Sequence, residues 1–577
     1  MEKTWVLKPR GDETLIQELA KSLSVDPVIA NLLVQRGITT FKEADEFFNP
    51  DIKKLHDPFL MKDMDKAIMR IEKALNNNEK ILIYGDYDVD GTTAVAMLYS
   101  FFRKRYSQIR YYIPDRYGEG YGISFKGIDY AANNAFTLVI ALDCGIKAVE
   151  KIKYANKKGV DFIICDHHLP GDTIPQAVAV LDAKQPGCKY PYKELSGCGV
   201  GFKLIQAFCI KRSISFNQIY TFLDLVAVSI ASDIVPITDE NRILAFYGME
   251  KLNKEPVFGL KAIKKVCGID DMGMNINDIV FKIGPRINAA GRIETGSKAV
   301  ELLVSQNEED ALKFAKGINI FNENRRDLDQ KITAESIEMI NSNEAIKNKK
   351  TTVLYNPEWH KGVVGIVASR LIEHYYRPTI ILTKSNGFIT GSARTVEGFD
   401  LYHAIDKCGQ LLENYGGHKF AAGISLKPEN LNKFIEMFEK VVSESITEKQ
   451  LIPHIEIDDV LKLSQIDAKF FRILQRFQPY GPENMNPVFV ANNVFDSGIG
   501  KTVGKKNEHL KLDLRQDSCP GSIFPAIGFG LGSKAMEVAE CRTFDVCFSV
   551  DKNDFMNKTS LQLRLRDIQL KNLKYYE

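Results

Sequence analysis

Short, unbroken apolar runs mark one stretch of the chain. ILIY (81–84), TLVIAL (137–142), DFIIC (161–165) and AVAVL (177–181) are each flanked by helical or turn-rich sequence. Runs of this length between helices predict strands of a mostly parallel sheet, buried on both faces. Residues 76–320 therefore read as a doubly wound α/β domain. Upstream, ETLIQELAKSLSV stops before Asp26-Pro27, and MKDMDKAIMRIEKAL fills 61–75. Both space apolar residues three and four apart, which predicts a helical lead-in over 1–75. Residues 321–347 are charged and helix-prone, with no Gly or Pro, and read as a connecting helix. TTVLY (351–355), TIILT (379–383) and FITGS (388–392) predict the strands of a second, glycine-rich α/β block over 348–450. Beyond it the texture changes to alternation. HIEIDDVL, PVFVANNVF, HLKLDLRQ, FPAIGFGLG, FDVCFSVD and LQLRLRDIQL read as half-buried antiparallel strands, with one helical insert, GSKAMEVAE. Residues 451–577 thus predict a small OB-type β-barrel. The expected fold class is α/β: two α/β domains joined by a long helix, with a C-terminal barrel.

Composition changes this picture little. The chain has 577 residues, 45% hydrophobic and 26% charged, which excludes disorder, collagen and a disulfide scaffold. At roughly 150 residues per domain the length suits about four domains. Lys and Arg number 76 against 74 Asp and Glu, a net charge of +2. Any nucleic-acid-binding surface must therefore be local and balanced by acid elsewhere. The opening MEKTWVLKPRGDETL has no apolar core of signal-peptide length, and no run approaches the ~20 apolar residues of a spanning helix. Ten cysteines with no C-x-x-C fit buried thiols in a reducing cytoplasm rather than a zinc or disulfide framework. No membrane partner is expected. No self-complementary helix seam stands out, so a monomer is expected.

The chemistry lies where the acids fall. The strand at 81–84 runs into Gly85-Asp86-Tyr87-Asp88-Val89-Asp90-Gly91, that at 137–142 into Asp143-Cys144-Gly145, and that at 161–165 into Asp166-His167-His168. A helix, TFLDLVAVSIA, ends in Ser232-Asp233-Ile234-Val235-Pro236. In an open parallel sheet, ligands bind outside the carboxyl ends of the strands, so the strand-end clusters share one edge. A single strand-end Asp is most simply a helix cap; four clusters with a His pair are not. Two unit charges ~5 Å apart cost about 3 kcal/mol at an effective dielectric of ~20, so the cluster needs a cation. Aspartates alone suit Mg²⁺, and an added imidazole moves the preference toward Mn²⁺. Asp143, alone on its strand, is the candidate to bridge two ions in a hydrolase site. Cys144 and Cys165 are read as core.

These clusters resemble the DHH phosphoesterase superfamily, named for the triplet found here as Asp166-His167-His168. YGDYDVDG (84–91), LDCG (142–145), ICDHH (164–168) and SDIVP (232–236) look like the successive metal-binding motifs of its RecJ exonuclease family. IPDRYGEGYG (113–122), GPRINAAGR (284–292), GSAR (391–394), GGHKFAAG (416–423) and PYGPENMNP (479–487) also match that family. The resemblance implies that Asp86, Asp88, Asp143, His167 and Asp233 hold two Mn²⁺ or Mg²⁺ ions, with Asp143 between them. It places Asp90 and Asp166 behind these ligands, and His168 beside the scissile phosphate or on the metals. Asp143, His168 and Arg286 form its catalytic set. The second block resembles the DHHA1 domain, in which Ser392, Arg394, Gly416, Gly417 and His418 would hold phosphate opposite the metals. Asn288 and Arg292 match a loop that contacts substrate. One departure is Tyr84, where relatives often carry His, a change with consequences for the first metal site. His360, in WHKGVVGIVASRL, reads equally as a phosphate contact or a packed histidine. His56, His374, His403, His454 and His509 belong to no constellation.

The resemblance implies a 5′→3′ exonuclease that degrades single-stranded DNA to 5′-mononucleotides in recombination and repair. It also implies contact with single-strand-binding protein and a recombination helicase. Strand choice would come from a channel too narrow for duplex, with Tyr111, Tyr112, Tyr117 and Tyr121 as candidate stacking rings. Lys501, Lys505 and Lys506 would meet phosphates on the barrel. Two alternatives remain open at this point. One is a phosphodiesterase of short oligonucleotides or cyclic dinucleotides, against which the barrel argues. The other is a non-catalytic single-strand-binding scaffold, against which the full ligand set argues.

Overall fold

The computed structural model describes residues 3–269, 273–519, 521–555 and 558–570, without the side chains of 554, 555, 558 and 559. They form two compact units, residues 1–51 with 453–577, and residues 52–452. The lead-in expected as one segment over 1–75 is divided between them. Strand β1 (Thr4–Leu7) pairs in parallel with β12 (His454–Ile457). Helices Glu13–Leu23, Pro27–Val34 and Phe41–Phe48 share a core with Leu461, Phe470, Phe477 and Phe489. Helix Met64–Asn76 instead buries Ile68 and Ile71 against the first α/β core. Local periodicity identifies these helices but cannot say which distant core each one covers.

In the larger unit, β2 (Lys80–Gly85), β3 (Ile109–Tyr112), β4 (Phe136–Leu142), β5 (Asp161–Cys165) and β6 (Ala179–Leu181) make a parallel sheet of order β3-β2-β4-β5-β6. The chain steps from β2 outward to β3 and returns on the other side as β4. The topological switch therefore lies between the carboxyl ends of β2 and β4, the crevice where such sheets bind ligands. Asp86 and Asp143 stand at those two ends.

The long helix spans Glu308–Asn341, beginning well before the expected 321. Asn307 caps its first turn and three acids complement its dipole there. It leads to a mixed sheet of order β10-β11-β9-β8-β7, from β7 (Thr352–Tyr355), β8 (Thr379–Ser385), β9 (Phe388–Arg394), β10 (Asn414–His418) and β11 (Ala421–Leu426). Only β7 and β8 pair in parallel.

In the smaller unit β13 (Asp459–Val460), β14 (Phe489–Asp496), β15 (Lys501–Val503), β16 (His509–Gln516), β17 (Phe524–Gly528), β18 (Phe544–Phe555) and β19 (Lys558–Leu570) form one sheet. A β14–β16 pairing closes it. With β17 and β19 parallel and the other barrel pairs antiparallel, this is the five-stranded OB barrel the alternation predicts, with β13 and β15 added.

Candidate metal centre and phosphate cleft

The loop after β2 turns sharply into helix Val89–Arg103. Asp88 caps that helix, its Oδ1 accepting from Gly91 N at 3.0 Å. Asp86 is buried and its Oδ1 accepts from Gly122 N at 3.4 Å. Asp143 leaves β4 in a left-handed conformation (φ 57°), and Ile234, just after Asp233, is also left-handed (φ 59°). A β-branched residue rarely adopts that region, and such strain gathers at functional sites. Helix Gly197–Lys211 aims its amino end at the same place. A Cβ on Gly197 would lie 2.6 Å from Asp143 Cβ, so only glycine permits this approach.

The parts converge on His167. Its Nε2 lies 3.2 Å from Asp143 Oδ1, 3.5 Å from Asp233 Oδ2 and 3.7 Å from Asp90 Oδ2. Two groupings have metal-ligand spacing: Asp143 with His167 and His168, and Asp90 with His167 and Asp233. Asp143 Oδ1 and His167 Nε2 are buried with no hydrogen-bond partner. A buried polar atom left unpaired costs about 1–3 kcal/mol, a cost that a bound cation would offset. Burial, followed by the neighbouring carboxylates, pushes Asp143 and Asp86 well above the carboxylate range. The same causes push Asp233 up to about 8. Burial holds His167 below its ordinary value, keeping a lone pair available.

Asp90 is committed elsewhere as well. It accepts from Gly197 N (2.6 Å), Cys198 N (2.7 Å) and the Ser229 hydroxyl (2.7 Å), clamping a helix amino terminus beside the cluster. Asp166 accepts from Ile146 N, His167 N and His168 N, and from His168 Nδ1 at 2.7 Å. Burial opposes its charge, but the His168 bond prevails and holds it down to about 2. Burial likewise opposes charge on His168, and Asp166 overrides it, pushing the imidazole up to about 9.

Tyr84 does not touch this cluster. Its ring packs in the core on the other face of the sheet, stacked on Tyr112. Its hydroxyl donates to Gly122 O (3.0 Å) and accepts from Ser124 N (3.2 Å). It thereby fixes the loop whose Gly122 N–H reaches Asp86.

Beside the cluster is a cleft of about 270 Å³ whose lining includes Arg116, Arg292, Ser392, Arg394 and Tyr121. No described lining residue carries a carboxylate. Burial first, then Arg116, Arg325 and Arg394, press Arg292 down to about 10. Helix Val364–Tyr375 begins here, and a Cβ on Gly365 would sit 3.0 Å from Ser392 Oγ and 3.1 Å from an Arg394 guanidinium nitrogen. A helix amino terminus with guanidinium groups is an anion site. Sheet register puts Ser392, Arg394, Gly416 and His418 on one face, since Gly416 pairs with Gly423, Gly423 with Ser392, His418 with Ala421, and Ala421 with Arg394. Gly417 (φ 151°) leaves no room for a Cβ, which would meet Ala421 O at 2.2 Å.

Several expected residues lie outside this lining. Arg286 does not line the cleft: its Nε donates to Asn319 Oδ1 and its Nη1 to Lys282 O. Asn288, on the same helix Gly284–Ile293, is half-buried and absent from the lining. Tyr111 and Tyr112 pack within the domain. Tyr121, 52% exposed, lies 3.2 Å from His168 Nε2 and also lines the cleft, joining the two sites. His360 accepts from Gly362 N (3.1 Å) at the turn before helix Val364–Tyr375, with its ring edge-on to Tyr117. Arg116 was missed, although IPDRYGEGYG held the signal. Asp182, a further strand-end acid, is fully buried and pushed up to about 7, first by burial and also by Asp166.

Family models match in the same order: the DHH family N-terminal domain over 80–230, the DHHA1 domain over 348–444 and the RecJ OB domain over 457–567. The chain is 34% identical to the single-stranded-DNA-specific exonuclease RecJ of Bacillus subtilis, over 98% of this chain and 71% of that one. It is 29% identical to the Escherichia coli protein of the same name, over 94% and 96%. The crystal structure of Thermus thermophilus RecJ in complex with Mn²⁺ shares the fold, with a TM-score of 0.84 at 24% identity, covering 98% of this chain and 80% of that one. With three domain models in order and a relative 34% identical over 98% of this chain, the chain belongs to the RecJ family of single-stranded-DNA-specific exonucleases.

Proposed function

We propose that this chain is a metal-dependent exonuclease that degrades single-stranded DNA from the 5′ end to 5′-mononucleotides, in recombination and repair. One observation carries the reading: a buried carboxylate–imidazole cluster with two unpaired ligand atoms adjoins a cleft lined by guanidinium groups. The relatives named single-stranded-DNA-specific exonucleases support the substrate. The Thermus complex supports Mn²⁺ for this fold.

Asp86, Asp88, Asp143, His167 and Asp233 would hold two Mn²⁺ or Mg²⁺ ions, with Asp143 shared. When bound, the ions supply Lewis acidity and lower the pKa of a water nucleophile. The chain's own residues do the rest. Asp90 locks a helix amino terminus against the cluster and fixes the ligand geometry. Asp166 orients His168 and keeps it protonated, so that its Nε2 can offer a proton to the departing oxygen. Ser392, Arg394, Arg116 and Arg292, with the amino end of helix Val364–Tyr375, grip a phosphate next to the one being cleaved. Gly416, Gly417 and His418 border that phosphate. Tyr121 stands between the two phosphates and supports one base. The chain acts as a monomer in the cytoplasm, recruited by single-strand-binding protein and a recombination helicase.

Rates on a long single strand, a blunt duplex and a dinucleotide in Mn²⁺ test the reading. It predicts rapid loss of the single strand and a spared duplex. Turnover confined to the dinucleotide would favour a small-substrate phosphodiesterase, and tight binding without consumption would favour a scaffold.

A further inference from the structure

A second cavity adjoins Tyr121. It holds about 410 Å³, and Ile123, Ile146, Ala148 and Val149 give it apolar walls. Ile123 and Ile146 are buried, Ala148 and Val149 half-buried. Asp166 and His168 also line it, so it borders the reactive centre. Small-molecule sites have this form: roughly 300–1,000 Å³ of mostly apolar space on which a few polar groups converge.

Among the described residues, Tyr121 alone lines both this cavity and the guanidinium cleft. Its ring stands edge-on to His168, with centroids 5.8 Å apart. Its hydroxyl lies 3.2 Å from His168 Nε2 and donates to Asp143 O at 3.4 Å. The ring thus partitions a cationic space from an apolar one, with the reactive imidazole at its hydroxyl end. Helix Val149–Lys157 begins at the apolar space. Ala148, at its N-cap, provides no side-chain cap, so the first-turn N–H groups keep their donors for another partner. Every base carries acceptors on its edges, and backbone donors meet them without choosing among the four.

The nucleotide at a 5′ end has parts that match this arrangement. Its 5′-phosphate suits the arginines, its 3′-oxygen is the atom that departs beside His168, and its base is flat and largely apolar. With phosphate and 3′-oxygen placed on either side of Tyr121, the base turns into the remaining space. We infer that the apolar cavity receives the base of the 5′-terminal nucleotide, so that the unit being released is gripped by its base as well as by its phosphate. This rests on the exonuclease reading above and names the part of that substrate the cavity takes.

The test is single-turnover release of the first nucleotide by the full chain in Mn²⁺, from 5′-phosphorylated oligothymidylates. One has an ordinary end, one a tetrahydrofuran abasic residue at the first position, and one the same residue at the second. The terminal abasic residue should slow release about tenfold, the loss of one held base. The second-position residue should leave it unchanged. Val149→Trp, which fills the cavity, should bring the tenfold ratio close to one by slowing the ordinary end. Ala148→Trp should do the same, and melting curves check that both variants fold. The substrate series needs no variant, so it decides alone if neither folds. A wild-type ratio near one would overturn the inference. A ratio still near tenfold in both folded variants would place the base elsewhere and overturn it too. Slowing by the second-position residue alone would give the cavity to the next base, which is equally contrary. In each of these cases mononucleotide release from the ordinary end leaves the exonuclease reading standing. If wild type releases none, that reading falls first.

Discussion

His167 Nε2 stands 3.2 Å from Asp143 Oδ1, both atoms are buried, and neither makes a hydrogen bond. Around them, burial and mutual repulsion push the pKa values of Asp86, Asp143 and Asp233 above the ordinary carboxylate range. A folded chain does not keep such a cluster for stability, since its members would ionise freely once unfolded.

Mn²⁺ should therefore stabilise the fold, and the sign with pH follows. A carboxyl whose folded pKa is raised loses stability as pH rises from about 3.9, its unfolded value, through the folded value, which for Asp233 is about 8. The chelated protein should melt at progressively lower temperature across that window. Added Mn²⁺ should raise the melting temperature, most strongly at its upper end, with protons released on binding. Scanning calorimetry with and without chelator at several pH values checks this.

Asp143→Asn should lower turnover by on the order of 10²–10³-fold or more, as loss of a group stabilising developing charge does. The chelated variant should melt no lower than wild type, because a repelling carboxylate has gone. Single-turnover rates and melting curves together check both.

Asp90→Asn should act differently, since Asp90 also accepts from Gly197 N, Cys198 N and Ser229 Oγ. Groups that orient ligands typically contribute 10–100-fold to metal affinity. The Mn²⁺ midpoint should rise by about that factor, with saturating Mn²⁺ restoring much of the activity.

Tyr84→Phe should leave the Mn²⁺ midpoint nearly unmoved and raise KM for DNA. The hydroxyl fixes Gly122 and Ser124, in the segment that carries Arg116 and Tyr121 toward the cleft. Steady-state kinetics across a metal titration separate the two parameters.

Arg394→Ala should raise KM by roughly 10–100-fold, from the ~1.5–3 kcal/mol of a hydrogen bond to a charged group. The loss should be greater for a 5′-phosphorylated strand than for a 5′-hydroxyl strand, a comparison made by competition.

What was legible in the sequence was local. The runs behind β2, β4, β5 and β6 announce themselves because a doubly covered sheet demands unbroken apolar strands. The acids after them could be placed on one edge because parallel strands end together. IRYY, which forms β3, escaped notice because an edge strand needs no such run. The long helix starts earlier than 321 and runs through Gly317, a glycine with open space around it that is tolerated mid-helix. The division of the lead-in was hidden because β1 finds its partner some 450 residues away in the sequence, beyond any periodicity. Arg286 and Arg116 could not be sorted for a similar reason. Which arginine lines the cleft depends on whether Asn319 or open space stands opposite it.

The central claim is best tested on single-stranded DNA labelled separately at each end and incubated with the purified protein and Mn²⁺ beside a labelled blunt duplex. The account predicts immediate release of the 5′ label as a mononucleotide, late release of the 3′ label, and an intact duplex. Intact single strands, or cleavage confined to dinucleotides, would contradict it.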